Sequence, residues 1–210
     1  MPTSLSPAIQ FLPAYFMLST FFRKKSSFPA SQPYDDAEGS EAADLAAKML
    51  MAPTALKQLT MAEARTVVRY MHPQMIAKGT VFIREGDGRD TGFLVLLLDG
   101  EVTVETLVVS RVEPIVITVL GPGSLIGELG LLDGMPRYAN CVAATPLRCA
   151  ILTREALDRL ISENPGIAAK LLLAMSLRIG VRLREVTDKL KMYVQLTQAM
   201  EQEIVARADA

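Results

Sequence analysis

Within "GPGSLIGELGLLDGMPRYANCVA", residues 121–143, an acid and a guanidinium stand nine positions apart among glycines and leucines: Glu128 and Arg137. A carboxylate only accepts hydrogen bonds, which suits the hydroxyls of a sugar. The planar fork of an arginine matches two oxygens of a phosphate. Gly121-Pro122-Gly123 makes a tight turn, and "GELGLL" behind it can form a short helical turn entered through Gly127, whose missing side chain permits an unusual backbone. Such a turn has unpaired amides at its start, and these suit one anion. Amides, carboxylate and guanidinium together form the donor and acceptor set that a sugar phosphate requires. The rival reading is a structural ion pair between Glu128 and Arg137. Spacing alone leaves both open.

Other reactive chemistry is sparse. His72 is the single histidine, and no cysteine or carboxylate cluster has ligand spacing, so no metal site and no cofactor are expected. There is no Gly-x-Ser-x-Gly elbow and no phosphate loop ending in Gly-Lys-Ser/Thr. A hydrolytic enzyme such as a phosphodiesterase would lack both metal ligands and a general base. Cys141 and Cys149 lie in apolar, strand-like runs and read as small buried hydrophobes in a reducing compartment. The formal net charge of −1 provides no global basic field for nucleic acid, although Arg and Lys thicken between residues 178 and 191.

The elements that must position the pair can be read along the chain. Its 210 residues, half of them hydrophobic, suffice for one domain with a core and extra elements. Residues 1–22 are apolar and aromatic, followed by Arg23, Lys24 and Lys25. The apolar run is about fifteen residues, short of the roughly 20 that a spanning helix needs. It reads as a poorly ordered tail, with a peripheral membrane contact through residues 8–25 as the alternative. Residues 26–40 read as a linker. Over 41–75 a helical lead-in is expected, with Leu45, Met49 and Leu50 near one face and a capping-box spacing from Thr60 to Glu63. Over 76–152 the period changes to six to eight short antiparallel strands, forming a sandwich or jelly-roll barrel. "GFLVLLL" is apolar throughout and predicts a strand covered on both faces. Asp99-Gly100 behind it is a hairpin signal. Over 153–210 helices return. The first closes at Asn164-Pro165-Gly166, and the second runs almost to the C-terminus. Along it Ile179, Leu183, Val186, Leu190, Tyr193, Thr197, Met200 and Ile204 alternate spacings of four and three, a heptad seam that predicts a homodimer through 179–204. The fold class expected is therefore mainly β with flanking helices.

The central stretch resembles the phosphate-binding cassette of the cyclic nucleotide-binding domain family. That pattern is Phe-Gly-Glu-Leu-Ala-Leu-Leu, a few residues, then Pro-Arg-Ser/Ala-Ala-Thr. Here it reads Ile126-Gly127-Glu128-Leu129-Gly130-Leu131-Leu132, then Pro136-Arg137-Tyr138-Ala139-Asn140. The resemblance extends over residues 45–190, including the "REGD" turn at 84–87. It implies that Glu128 binds a ribose 2′-hydroxyl and Arg137 an oxygen of the cyclic phosphate. Backbone amides around Gly127, Leu129, Tyr138 and Ala139 would complete the cradle. It also implies a lid from the final helix, with Arg178, Arg182 and Arg184 as candidates for contact with the base. Tyr138 departs from the pattern: a large ring stands where the family has Ser, Thr or Ala, and it would either crowd the ligand or cover the base. The missing Thr favours cyclic AMP over cyclic GMP.

The expected function is a cytoplasmic sensor of a cyclic nucleotide that works as a homodimer on an effector protein. Direct DNA binding is not expected, because the sequence stops at Ala210 where the family's transcription factors continue into a helix-turn-helix. The competing expectation is a ligand-free interaction module that keeps the fold; Tyr138 is the feature that supports it.

Overall fold

The computed structural model describes residues 41–51, 59–106 and 115–208. The apolar segment 8–25 and the linker 26–40 lie outside the described residues. Two helices lead in, α1 (Glu41–Leu50) and α2 (Met61–Val68). Six strands follow: β1 (His72–Ile76), β2 (Val81–Ile83), β3 (Phe93–Asp99), β4 (Val102–Thr106), β5 (Ile115–Leu120) and β6 (Leu125–Ile126). A short helix α3 (Glu128–Asp133) precedes β7 (Asn140–Ala143) and β8 (Leu147–Thr153), and the chain ends in α4 (Arg154–Glu163) and α5 (Pro165–Ala208). The strands form two four-stranded sheets, in the orders β1-β8-β3-β6 and β2-β7-β4-β5. Every pairing is antiparallel. This is the β-sandwich with flanking helices that the sequence predicts.

The two-residue period of a strand divides the core in two. Leu94, Leu96 and Leu98 of β3, with Ala150 and Leu152 of β8, face the helices. Phe93, Val95 and Leu97, with Cys149 and Ile151, face the second sheet. The unbroken apolar run of β3 is therefore covered on both sides, as expected.

Three details differ from the sequence reading. Asp99-Gly100 is not a hairpin, because β3 and β4 belong to different sheets. The positive φ of Gly100, 95°, carries the chain around a corner of the sandwich. A Cβ there would come within 2.5 Å of the Pro146 carbonyl oxygen. Second, the sheet begins at His72 rather than at 76. β1 contains Pro73 and lies at a sheet edge, the position where a strand tolerates proline. Before Ile76 its sequence shows neither alternation nor β-branching. Third, α1 buries Ala46, Ala47 and Leu50, while Leu45 and Met49 are only half-buried. Alanines let the helix backbone approach its neighbours more closely than the larger residues would.

The lead-in helices are tied to the point where α4 passes into α5. The capping box of α2 forms, with Thr60 accepting from the Glu63 amide. Glu63 also receives Lys170 of α5, and this bond together with the Thr60 amide holds its pKa down at about 2. The Tyr70 hydroxyl donates to Glu163 and accepts from the Asn164 side chain at 2.8 Å.

Cys141 and Cys149 are both buried, and neither is in a disulfide. Burial pushes each thiol up to about 12. At pH 8 labelling of the native protein by a small thiol reagent is expected to be on the order of a thousandfold slower than that of a free cysteine. Labelling should accelerate to the free rate in denaturant. A fast-reacting thiol in the folded protein would contradict this burial.

Candidate functional site

The geometry begins at Gly127, which turns the chain from β6 into α3 with φ 85° and ψ 14°, a left-handed conformation. A Cβ on Gly127 would lie 2.7 Å from Nη1 of Arg137 and 3.2 Å from the Phe93 carbonyl oxygen. A Cβ on Gly130 would lie 2.6 Å from the same arginine nitrogen. These two glycines form the wall against which the guanidinium rests. The backbone of Arg137 is fixed separately by the "REGD" turn. The Gly86 amide donates to the Arg137 carbonyl at 2.7 Å, and the Arg137 amide donates to the Asp87 carbonyl at 3.0 Å. Asn140 secures the same turn by accepting from the Glu85 amide at 2.9 Å.

The Arg137 side chain is 5% exposed. Its Nε donates to the Asp90 carbonyl at 3.3 Å, Nη1 to the Gly127 carbonyl at 2.8 Å and Nη2 to the Phe93 carbonyl at 3.0 Å. The guanidinium also sits 4.5 Å above the Phe93 ring centroid. None of the ion pairs among the described residues includes it. Burial lowers its pKa from the ordinary arginine value, and the charge of nearby Asp90 opposes this most. An arginine stays protonated even so.

Glu128 is 1% exposed. Its partner is Arg182 of α5, whose Nη1 donates to Oε1 at 2.8 Å. Glu128 and Arg137 are therefore not paired with each other. The same Arg182 nitrogen donates to the Tyr138 hydroxyl at 3.1 Å. Arg178, one turn earlier, donates through Nη2 to the Leu125 carbonyl at 3.3 Å, and its buried Nε has no partner among the described residues. Burial lowers the pKa of Arg178, with the Glu128 carboxylate opposing. Burial raises that of Tyr138.

A cavity of about 860 Å³ lies between the sandwich and α5. All eight predicted residues, Gly127, Glu128, Leu129, Arg137, Tyr138, Ala139, Arg178 and Arg182, line it. Arg184 is exposed on α5 and does not. Sequence reasoning missed Arg154, at the start of α4. It is buried, and its Nη2 donates to the carbonyls of Gly130 and Leu131, closing the C-terminal end of α3. An arginine in the first turn of an amphipathic helix reads as solvated, so nothing in the sequence marked it. Among the described residues no group of three or more His, Cys, Asp or Glu side chains could hold a metal ion.

Residues 73–164 match the family model described as the cyclic nucleotide-binding domain, and this part of the chain is a domain of that family. The CRP-like cAMP-activated global transcriptional regulator of Mycobacterium tuberculosis is 26% identical over 127 residues, 60% of this chain and 52% of that one. The cAMP-dependent protein kinase regulatory subunit of Yarrowia lipolytica is 34% identical over 88 residues, 42% of this chain and 22% of that one. The chain thus spans about half the length of the first relative and less than a quarter of the second. Among solved structures, a cyclic nucleotide-binding domain from Methylobacillus flagellatus superposes with a TM-score of 0.61. It is 28% identical and covers 70% of this chain and 82% of that one.

Gly127→Ala should be the most damaging small substitution in the cassette, because it forces an L side chain into a left-handed backbone against a carbonyl. A loss of about 1–3 kcal/mol is expected in denaturant titration. Gly130→Ala should cost less, because Gly130 lies in the short helix with no positive φ and only the contacts of the added Cβ oppose it.

Proposed function

We propose that this protein is a sensor of a cyclic nucleotide, cyclic AMP in preference to cyclic GMP, acting as a homodimer on a partner protein. One observation carries the reading: Arg137 is a buried cation with no acid in an ion pair among the described residues, lying against a cavity large enough for a nucleotide. An unpaired buried charge is costly, and a cyclic phosphate would supply the missing negative charge. A guanidinium has five N–H donors. Arg137 gives three to backbone carbonyls, so its contact with a phosphate oxygen uses the remainder of the fork. The amides around Gly127, Leu129, Tyr138 and Ala139 face the same phosphate. A ribose 2′-hydroxyl donates to the Glu128 carboxylate, in competition with Arg182. α5 is the lid, with Arg178 and Arg182 on its cavity side.

The choice of cyclic AMP follows the relatives, whose names are cAMP-activated and cAMP-dependent, and the absence of a threonine beside Arg137. The homodimer is supported by the exposure along α5 of Leu183, Val186, Leu190, Tyr193, Met200 and Ile204, each more than half exposed. The net charge of −1 gives no field for a polyanion, so the proposed output is a protein and not nucleic acid. Among the described residues no helix is long and apolar enough to cross a membrane. The peripheral contact through residues 8–25 remains a separate proposal outside them. A ligand-free interaction module is the second reading, favoured by the bonds that Glu128 and Tyr138 already make to Arg182.

Calorimetric titration with cyclic AMP tests the first reading. The native chain should bind, and Arg137→Ala should lose about tenfold to a thousandfold in affinity, the worth of one or two charge-assisted bonds. No heat from protein freed of co-purified nucleotide supports the module instead. Light scattering tests the assembly: the native chain should have twice the monomer mass, and Leu183→Glu with Leu190→Glu should return it to the monomer. A monomeric native chain would remove the homodimer.

A further inference from the structure

The bonds across the cradle run through one side chain that the cassette pattern does not provide. Tyr138 follows the phosphate-facing Arg137, and its hydroxyl accepts from Arg182 at 3.1 Å. The nitrogen that makes this bond also holds the Glu128 carboxylate at 2.8 Å. The phenol oxygen and the carboxylate oxygen therefore cannot be farther apart than these two bonds laid end to end. That span is shorter than a furanose ring with a hydrogen bond on each side, so a ribose bonded to both oxygens does not fit while the two bonds stand. The contact also joins two different parts of the fold, because Tyr138 belongs to the cassette and Arg182 to α5.

We propose that Tyr138 is a gating residue: with Arg182 it latches α5 over the cradle, and a ligand must open this latch to enter. The ring is 55% exposed, so it lies at the rim of the cavity and swings into solvent with little loss of burial. Arg182, about a third exposed, can move with it. Burial raises the Tyr138 pKa, which keeps the hydroxyl neutral at physiological pH and the latch indifferent to pH in that range. Arg137 is not part of the latch, since its donors go to Asp90, Phe93 and Gly127. The latch is distinct from aromatic stacking on a base, which would make Tyr138 a contributor to affinity.

The ligand arm of this inference rests on the nucleotide reading; the lid arm does not. Two measurements on the full chain separate them. In hydrogen exchange without ligand, Tyr138→Phe removes only the hydroxyl and should speed exchange over residues 126–140 and 176–190 by about three- to tenfold, the worth of one hydrogen bond. Unchanged exchange there would overturn the latch. In calorimetry with cyclic AMP, Tyr138→Phe should bind about three- to tenfold more tightly than the native chain, and Tyr138→Ala at least as tightly as Tyr138→Phe. Weaker binding by Tyr138→Ala with unchanged binding by Tyr138→Phe would show that the ring stacks on the base, and would overturn the gate. Faster exchange with no binding by any variant would support the latch and overturn the nucleotide reading alone. A denaturant titration of each variant excludes general loosening as the source of faster exchange.

Discussion

A guanidinium buried with no ion-paired acid among the described residues is the constraint around which the cassette is built. Removing a charge from water costs several kcal/mol even after relaxation, so the surrounding chain must return much of that solvation. Three backbone carbonyls, from Asp90, Phe93 and Gly127, and the face of one aromatic ring do so. These groups come from a loop, the first residue of a central strand and the entry to a short helix. None is adjacent in sequence to Arg137. The requirement passes outward from them. Gly127 and Gly130 must lack side chains to admit the fork, the "REGD" turn must hold the Arg137 backbone, and Arg154 must close the far end of α3. Dipoles satisfy hydrogen bonds without neutralising a charge, so the guanidinium keeps its positive charge beside the cavity.

The same logic explains which parts were legible in the sequence. Strand β3 announced its central position because six residues without a polar interruption, Phe93 to Leu98, can only be covered on both faces. The capping box of α2 and the long α5 followed from local chemistry and period. Asp99-Gly100 misled, because a positive φ serves a corner between sheets as well as a hairpin within one, and the dipeptide does not say which. β1 was missed because an edge strand with a proline carries no alternating signal.

At the site, residue types were visible and pairings were not. The stretch from Gly127 to Ala139 contains the carboxylate, the guanidinium and two glycines, Gly127 and Gly130, that line one cavity together. The sequence left open whether Glu128 and Arg137 pair. The answer came from 45 positions beyond Arg137, where Arg182 takes the acid. A long-range partner of this kind has no local signature, because an arginine on an exposed helix looks the same whether it meets solvent or a buried carboxylate. Arg154 escaped notice for the same reason.

α5 presents Ala174, Arg178, Val181, Arg182, Glu185 and Lys189 to the cavity. The heptad seam runs along its neighbouring face, and Val186 belongs to both. One continuous helix of 44 residues carries the two surfaces. A rotation or tilt that moves Arg182 relative to Glu128 therefore moves Val186 relative to any second helix packed on the seam. A ligand shifts such an equilibrium only by its difference in affinity between the two positions of the helix. Arg182 is where that difference arises, because it contacts the cassette directly and a sugar phosphate would compete for the same carboxylate. The coupling is reciprocal: whatever binds the seam and prefers one setting of α5 changes the affinity of the cavity by the same factor.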